Sequence, residues 1–108
     1  MSTVIIPIRF DLKGSRALRL GDVPSRDFVL PWDTTGCEYF CSFMKDGIET
    51  VHEVTLDEAT DTITVNFDLS LLVEGTYTYD IKQKDTLLEV KTVIYGDVEI
   101  TASSTVTL

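Results

Sequence analysis

Glu38-Tyr39-Phe40-Cys41-Ser42-Phe43-Met44-Lys45-Asp46-Gly47-Ile48 is the stretch that decides the fold. Tyr39, Cys41 and Phe43 fall at every second position, the period of a strand with one buried face. Lys45-Asp46-Gly47 then supplies a hairpin turn, because Asp-Gly tolerates the left-handed backbone such turns require. Ile48–Leu56 reads as the return strand. The building unit is a β-hairpin, not a helix.

Outward from this hairpin the period of two repeats. Thr62–Leu69 puts Ile63, Val65, Phe67 and Leu69 on one face. Thr76–Lys84 sets Tyr77, Tyr79 and Ile81 against Thr76, Thr78, Asp80 and Lys82. Near the start, Ile6, Ile8, Phe10 and Leu12 alternate with Pro7, Arg9 and Asp11; Pro7 cannot donate to a ladder and argues for an edge. Ala17–Leu20, Asp27–Leu30, Leu87–Ile94 and Val98–Ile100 read as further strands, with Gly96-Asp97 a bulge or bend. Val106–Leu108 adds a last short strand or a tail. Asp33–Gly36, Asp57–Asp61 and Lys84-Asp85-Thr86 are turns or polar loops by composition. Ser70–Gly75, with Leu71, Leu72 and Val73, reads as one helical turn or a tight corner. No ten-residue stretch keeps a 3.6-residue period, and fifteen threonines agree with strand propensity.

The expected fold is all-β: a single immunoglobulin-like β-sandwich of seven to eight short antiparallel strands. Residues 1–108 form one domain, with 1–12 an N-terminal anchoring strand. The Cys…Trp…Cys signature of true immunoglobulin domains is missing, since Trp32 precedes both Cys37 and Cys41. Tyr39, Cys41, Phe43, Ile63, Val65, Phe67, Tyr79 and Ile81 are the expected core.

At 108 residues there is room for one core. A composition of 44% apolar and 25% charged residues excludes a disordered tail, and no apolar run approaches a membrane span. The net charge of −9 disfavours contact with phosphate backbones. Charge is unevenly spread. Residues 1–30 hold five basic and three acidic side chains, whereas residues 31–108 hold four and fifteen. A basic leading segment on an acidic body suits packing between copies.

Catalytic signals are scarce. His52, the lone histidine, lies in a strand with no nucleophile or orienting acid beside it, and is expected at an exposed or edge position. Cys37 and Cys41, four apart on a strand, would stand about 13 Å from one another, beyond disulfide reach. Asp57, Glu58 and Asp61 lack the spacing of a calcium loop and read as a solvated acidic turn. The sequence therefore predicts no enzyme, no cofactor and no metal. Trp32, next to Pro31, reads as a plug at the end of the core, with a sugar-stacking platform as the competing role.

A resemblance adds to this reading. Ile5-Ile6-Pro7-Ile8-Arg9-Phe10 resembles the apolar N-terminal strand of short β-sandwich virion proteins of tailed bacteriophages. The run from Arg26 to Gly36 resembles their "D-L-T-G" turn, with Thr34 where leucine is usual. Leu72-Val73-Glu74-Gly75-Thr76-Tyr77-Thr78-Tyr79-Asp80-Ile81 resembles their "L-x-x-G-x-Y-x-Y-D-I" strand, and Val90–Ile100 their closing "G-x-V-x-I" strand. The resemblance implies a non-enzymatic virion accessory protein, made in the host cytoplasm. It would decorate a capsid, join tail or baseplate parts, or anchor a fibre. Its partners would be other virion subunits, with many copies in an assembly and no nucleic acid or membrane.

Val4-Ile5-Ile6-Pro7-Ile8 is apolar at all five positions, so both of its faces want cover. Val4, Ile5, Ile6, Pro7, Ile8, Arg9, Arg16 and Arg19 are accordingly the candidate partner interface, the arginines meeting acidic surface on a neighbour. The alternative is a carbohydrate-binding or adhesion β-sandwich that uses Trp32 and the tyrosines. Exposed, near-coplanar aromatics would favour it, and buried ones the structural module.

Overall fold

The structure, a computed structural model, describes residues 6–102. It is all-β, with eight strands: β1 (Ile8–Arg9), β2 (Leu18–Arg19), β3 (Ser25–Val29), β4 (Glu38–Lys45), β5 (Ile48–Asp57), β6 (Thr62–Asn66), β7 (Gly75–Lys84) and β8 (Val90–Thr101). One 3₁₀ turn, Gly14–Arg16, is the only helical element among the described residues. It lies away from Ser70–Gly75, where a helical turn was one expectation; that segment is a corner closed by the Leu72 N–H on the Leu69 carbonyl at 3.1 Å.

The strands are ordered β1-β8-β7-β4-β5-β6-β3, with β2 also on β8. This path is a curled, open half-barrel. Its two ends approach each other: the Phe10 and Phe28 rings meet edge-on at 5.6 Å, and the Arg26 guanidinium donates to the Arg16 carbonyl at 3.3 Å.

The hairpin forms where Asp46-Gly47 predicts it. Both residues have positive φ (52° and 78°), so the two-residue turn matches the right-handed twist of its strands and fixes the register Lys45↔Ile48. β5 then changes partner midway. Ile48–His52 pairs β4, and Glu53–Asp57 pairs β6. One continuous strand thereby carries the chain from one part of the curl to the other.

Two features depart from an antiparallel sandwich read strand by strand. β1 and β2 run parallel to β8, through Ile8↔Ile94, Leu12↔Val98 and Leu18↔Ile100. Parallel neighbours need a long crossover, and here the body of the domain between them provides one. In addition, the two closing strands merge into one. β8 spans Val90–Thr101, and the ladder slips between Ile81 and Lys82, opposite Val93, not at Gly96. Gly96 answers a different demand. A Cβ there would stand 2.5 Å from the Phe10 carbonyl oxygen, so only glycine lets the N-terminal segment lie against β8.

All eight expected core residues are buried. Around them pack Leu12, Leu18, Leu30, Leu69, Tyr77, Val93, Ile94, Val98 and Ile100. Phe43 is the hub, with Phe67 at 5.4 Å, Tyr77 at 6.1 Å and Tyr79 at 6.4 Å between centroids. Burying a large apolar side chain stabilises by about 1.5–3 kcal/mol, so this cluster outweighs any surface pair in the molecule. The Tyr77 hydroxyl donates to the Val73 carbonyl at 2.8 Å and accepts from the Val73 N–H at 3.3 Å, pinning the corner before β7.

Candidate interaction surface

The N-terminal interface residues lie on one edge of the sheet. Val4 and Ile5 fall outside the described residues. Ile6 is 78% exposed and Ile8 42%, with Pro7 exposed between them. Arg9 does not stand free for a neighbour's acid. It pairs within the chain with Asp11 at 3.2 Å and Asp97 at 3.4 Å, while Lys13 takes Asp97 at 3.0 Å. Asp11 also accepts the Asp97 N–H at 2.9 Å, and this bond, helped by Arg9, holds its carboxyl below the usual carboxylate range. Arg16 lies over the Phe10 ring, 5.1 Å from its centroid, and Arg19 is exposed on β2. Among the described residues neither forms an ion pair. The basic edge thus divides into a tied upper part and a free lower part.

A second surface was not singled out from the sequence. The outward side chains of β4 are Glu38, Phe40, Ser42 and Met44. Phe40 is 46% exposed and Met44 40%, at positions where a water-facing strand normally carries polar residues. Val51 on β5, paired with Ser42, lies on the same face and is 65% exposed, whereas Ile48, 71% exposed, pairs with Lys45 on the other face. The signal lies in Phe40-x-x-x-Met44, since the alternation that turns Tyr39, Cys41 and Phe43 inward turns these two outward. Leu87 and Leu88, expected inside a strand, instead tip the β7–β8 loop at 74% and 71% exposure. The Asp85 carboxylate caps that loop by accepting the N–H groups of Leu87 (2.9 Å) and Glu89 (3.0 Å), and Leu88 takes a left-handed φ of 65°.

The groups that might have carried chemistry are absorbed into structure. His52 is buried, contrary to the exposed or edge position expected: its ring meets Phe43 edge-on with centroids 4.1 Å apart, and Nδ1 accepts the Asp68 N–H at 2.9 Å. The reason is register. Cys41↔His52 places it on the inner face opposite a core residue. Burial lowers its pKa, so the neutral ring with Nε2–H is the buried form. Its Nε2 has no hydrogen-bond partner among the described residues. Cys41 is fully buried and its thiol is pushed up to about 12 by desolvation. The acidic loop is tied to the Asp33–Gly36 turn: Asp61 accepts from the Thr34 N–H (3.1 Å) and hydroxyl (2.8 Å), and Glu58 from the Gly36 N–H (2.8 Å). Among the described residues, no group of three or more potential metal ligands converges.

Trp32 is half-buried against the core, and its indole N–H donates to Gln83 Oε1 at 2.7 Å. The Tyr39 hydroxyl donates to the same oxygen. Tyr39, Tyr77 and Tyr79 are buried, leaving Tyr95 as the one exposed tyrosine, at 38%. The aromatic platform that sugar binding requires is therefore not displayed. No described helix is long and apolar enough to cross a membrane.

No protein-family model matches the chain, and no curated protein matches it. Among solved structures, Listeria monocytogenes InlP is similar over 88% of this chain, at 19% identity and a TM-score of 0.50. A Listeria monocytogenes internalin-like protein is similar over 90% of this chain, at 18% identity and a TM-score of 0.48. The chain covers only 26% and 28% of those two proteins. At this identity the likeness to InlP speaks to the fold alone.

Proposed function

We propose that this chain is a non-enzymatic structural protein of a tailed-bacteriophage virion, an immunoglobulin-like sandwich that attaches to other virion subunits. The observation that carries the binding role is the set of large apolar side chains on solvent-facing positions: Ile6 and Ile8 on the N-terminal edge, Phe40 and Met44 on the outer face of β4. Exposed apolar clusters of this kind mark protein contacts. Asp61, Glu58, Asp85 and His52 Nδ1 are engaged in hydrogen bonds that hold loops in place, which favours the surface as the functional part.

The immunoglobulin-like reading draws support from three features. A long strand, β5, switches partners between the two parts of the curl. The first strands run parallel to the last. Tyr77 sits near the start of β7 with its hydroxyl on the backbone four residues upstream, as in a tyrosine corner. The virion setting rests on the motif resemblance, whose L-x-x-G-x-Y block is the segment that builds this corner.

Attachment is tested by adding variants to particles lacking the protein and measuring co-sedimentation. A chain without residues 1–8 is expected to fold and to lose attachment. Charge reversal at Arg16 and Arg19 is expected to weaken attachment in a salt-sensitive manner. Wild-type occupancy by the folded truncated chain would overturn the N-terminal edge as an anchor. The half-buried Trp32 and the buried Tyr39, Tyr77 and Tyr79 weigh against the sugar-binding alternative.

A further inference from the structure

We propose that the open half of the β5 edge accepts an extended strand, and that its occupant is the apolar N-terminal segment of a second copy of this chain. The proposal rests on reading that segment as an attachment strand and names where one copy would receive it.

The acceptor follows from the hairpin. In a two-residue turn the flanking pair, here Lys45 and Ile48, is hydrogen-bonded, and bonded and non-bonded pairs then alternate. Thr50 and His52 therefore bond to β4, while Glu49 and Val51 direct their N–H and C=O groups to the other side. From Glu53 onward that side is occupied by β6. It is vacated before Val51, because the chain leaves after Asn66: the Phe67 N–H bonds the Pro24 carbonyl at 3.0 Å and the Asp68 N–H bonds His52. Among the described residues, no backbone bond reaches Glu49 or Val51 from outside the hairpin. Natural sheet edges are usually guarded by charged side chains, proline or a bulge; Ile48-Glu49-Thr50-Val51-His52 has no proline and no bulge, and its one charge, Glu49, leaves the Val51 end open.

This edge borders a groove of about 620 Å³ in line with β6. Val23, Val51, Phe67 and Leu69 give it apolar walls, and Asp22 and Asp68 give it negative charge. A strand entering here would continue the line of β6 and place alternate side chains in the groove, the mode of β-strand addition.

The occupant is chosen by chemistry and reach. Val4-Ile5-Ile6 is apolar on both faces and keeps every backbone N–H, and the edge it belongs to carries Arg16 and Arg19, opposite in sign to the groove. A chain cannot serve itself. β1 runs antiparallel to β3, with Phe10 against Phe28 and Arg16 against Arg26, and the groove lies at the Val23–Ser25 end of β3. The chain therefore enters β1 from the end away from its own groove. Donation must therefore pass between copies. Donor and acceptor are different surfaces, so the contact is heterologous and propagates into a ring or a filament.

The test uses the purified full chain in sedimentation velocity over a range of concentrations. The wild type is expected to grow into higher oligomers. A donor-deficient chain lacking residues 1–6 and an acceptor-deficient Val51→Pro chain are each expected to stay monomeric. Mixed, they retain one intact surface each and are expected to form a capped dimer. Val51 makes no β4 ladder bond in this register, so its proline should spare the hairpin; urea unfolding checks this, and Val51→Lys serves as a second acceptor variant. A monomeric wild type, undiminished self-association of the donor-deficient chain, or a mixture that stays monomeric would overturn the proposal. The virion reading is scored separately: Val51→Pro chains that still co-sediment with particles would leave it standing while strand acceptance fails.

Discussion

β4 shows the same alternation on its two faces with opposite outcomes. Tyr39, Cys41 and Phe43 point inward and are buried, Cys41 and Phe43 with no exposed surface at all. Phe40 and Met44 point outward and keep roughly two-fifths or more of their surface in water. Both sets are apolar, yet only the inner one is fully covered within the chain. Hydrophobicity on the inner face builds the fold. On the outer face about half of each side chain stays open to solvent.

The sharpest way to break this contrast is to truncate the inner face. Phe43→Ala removes the hub of the aromatic cluster and is expected to cost about 3–5 kcal/mol in urea unfolding. A loss below about 1 kcal/mol would show that this face is not the core. Gly96→Ala probes the seam between the N-terminal segment and β8. The new Cβ meets the Phe10 carbonyl, so a loss of about 1–3 kcal/mol is expected, with accelerated amide exchange at Phe10 and Leu12, which bond Tyr95 and Asp97. Tyr77→Phe keeps the buried ring and deletes only the hydroxyl bonded to Val73, for which about 0.5–1.5 kcal/mol is expected.

A pH titration separates the inner-face histidine from the surface carboxylates. The pKa of His52 is lowered in the folded state, so the unfolded chain takes up its proton first. The stability contributed by the neutral ring is complete above the unfolded pKa of about 6.5. It is lost as the pH falls through that value toward the lower folded one. His52→Asn, which does not titrate, should show a flatter stability profile between about pH 7 and 5 than the wild type. Parallel profiles would mean that His52 is not buried in its neutral form.

The outer face carries far less than the inner. Phe40→Ser and Met44→Ser each give up a half-covered side chain and are expected to cost about 1 kcal/mol apiece in the same unfolding assay, against about 3–5 kcal/mol for Phe43→Ala.

Periodicity made the interior legible, because each buried strand carries its own alternation and Asp46-Gly47 fixed the register of the central hairpin. It also carried Phe67 and Leu69 to the inner face, although β6 ends at Asn66 and both continue inward beyond the last ladder pair. What it could not supply were relations between distant segments. The parallel seam of residues 8–19 on β8 joins chain regions some eighty residues apart. Arg9 looked free until the fold brought Asp97 beside it. His52 looked exposed because its neighbours Val51 and Glu53 are; only the pairing with Cys41 turns it inward. Leu87 and Leu88 resembled strand residues by composition, but the Asp85 cap and the positive φ of Leu88 end the strand before them.

Co-sedimentation of the Phe40→Ser/Met44→Ser double variant with particles lacking the protein, read beside its urea-unfolding midpoint, tests most directly that binding lies on the outer face of β4. The account predicts a folded double variant whose midpoint stays above that of Phe43→Ala, and lost attachment. Full occupancy by the folded double variant would contradict it.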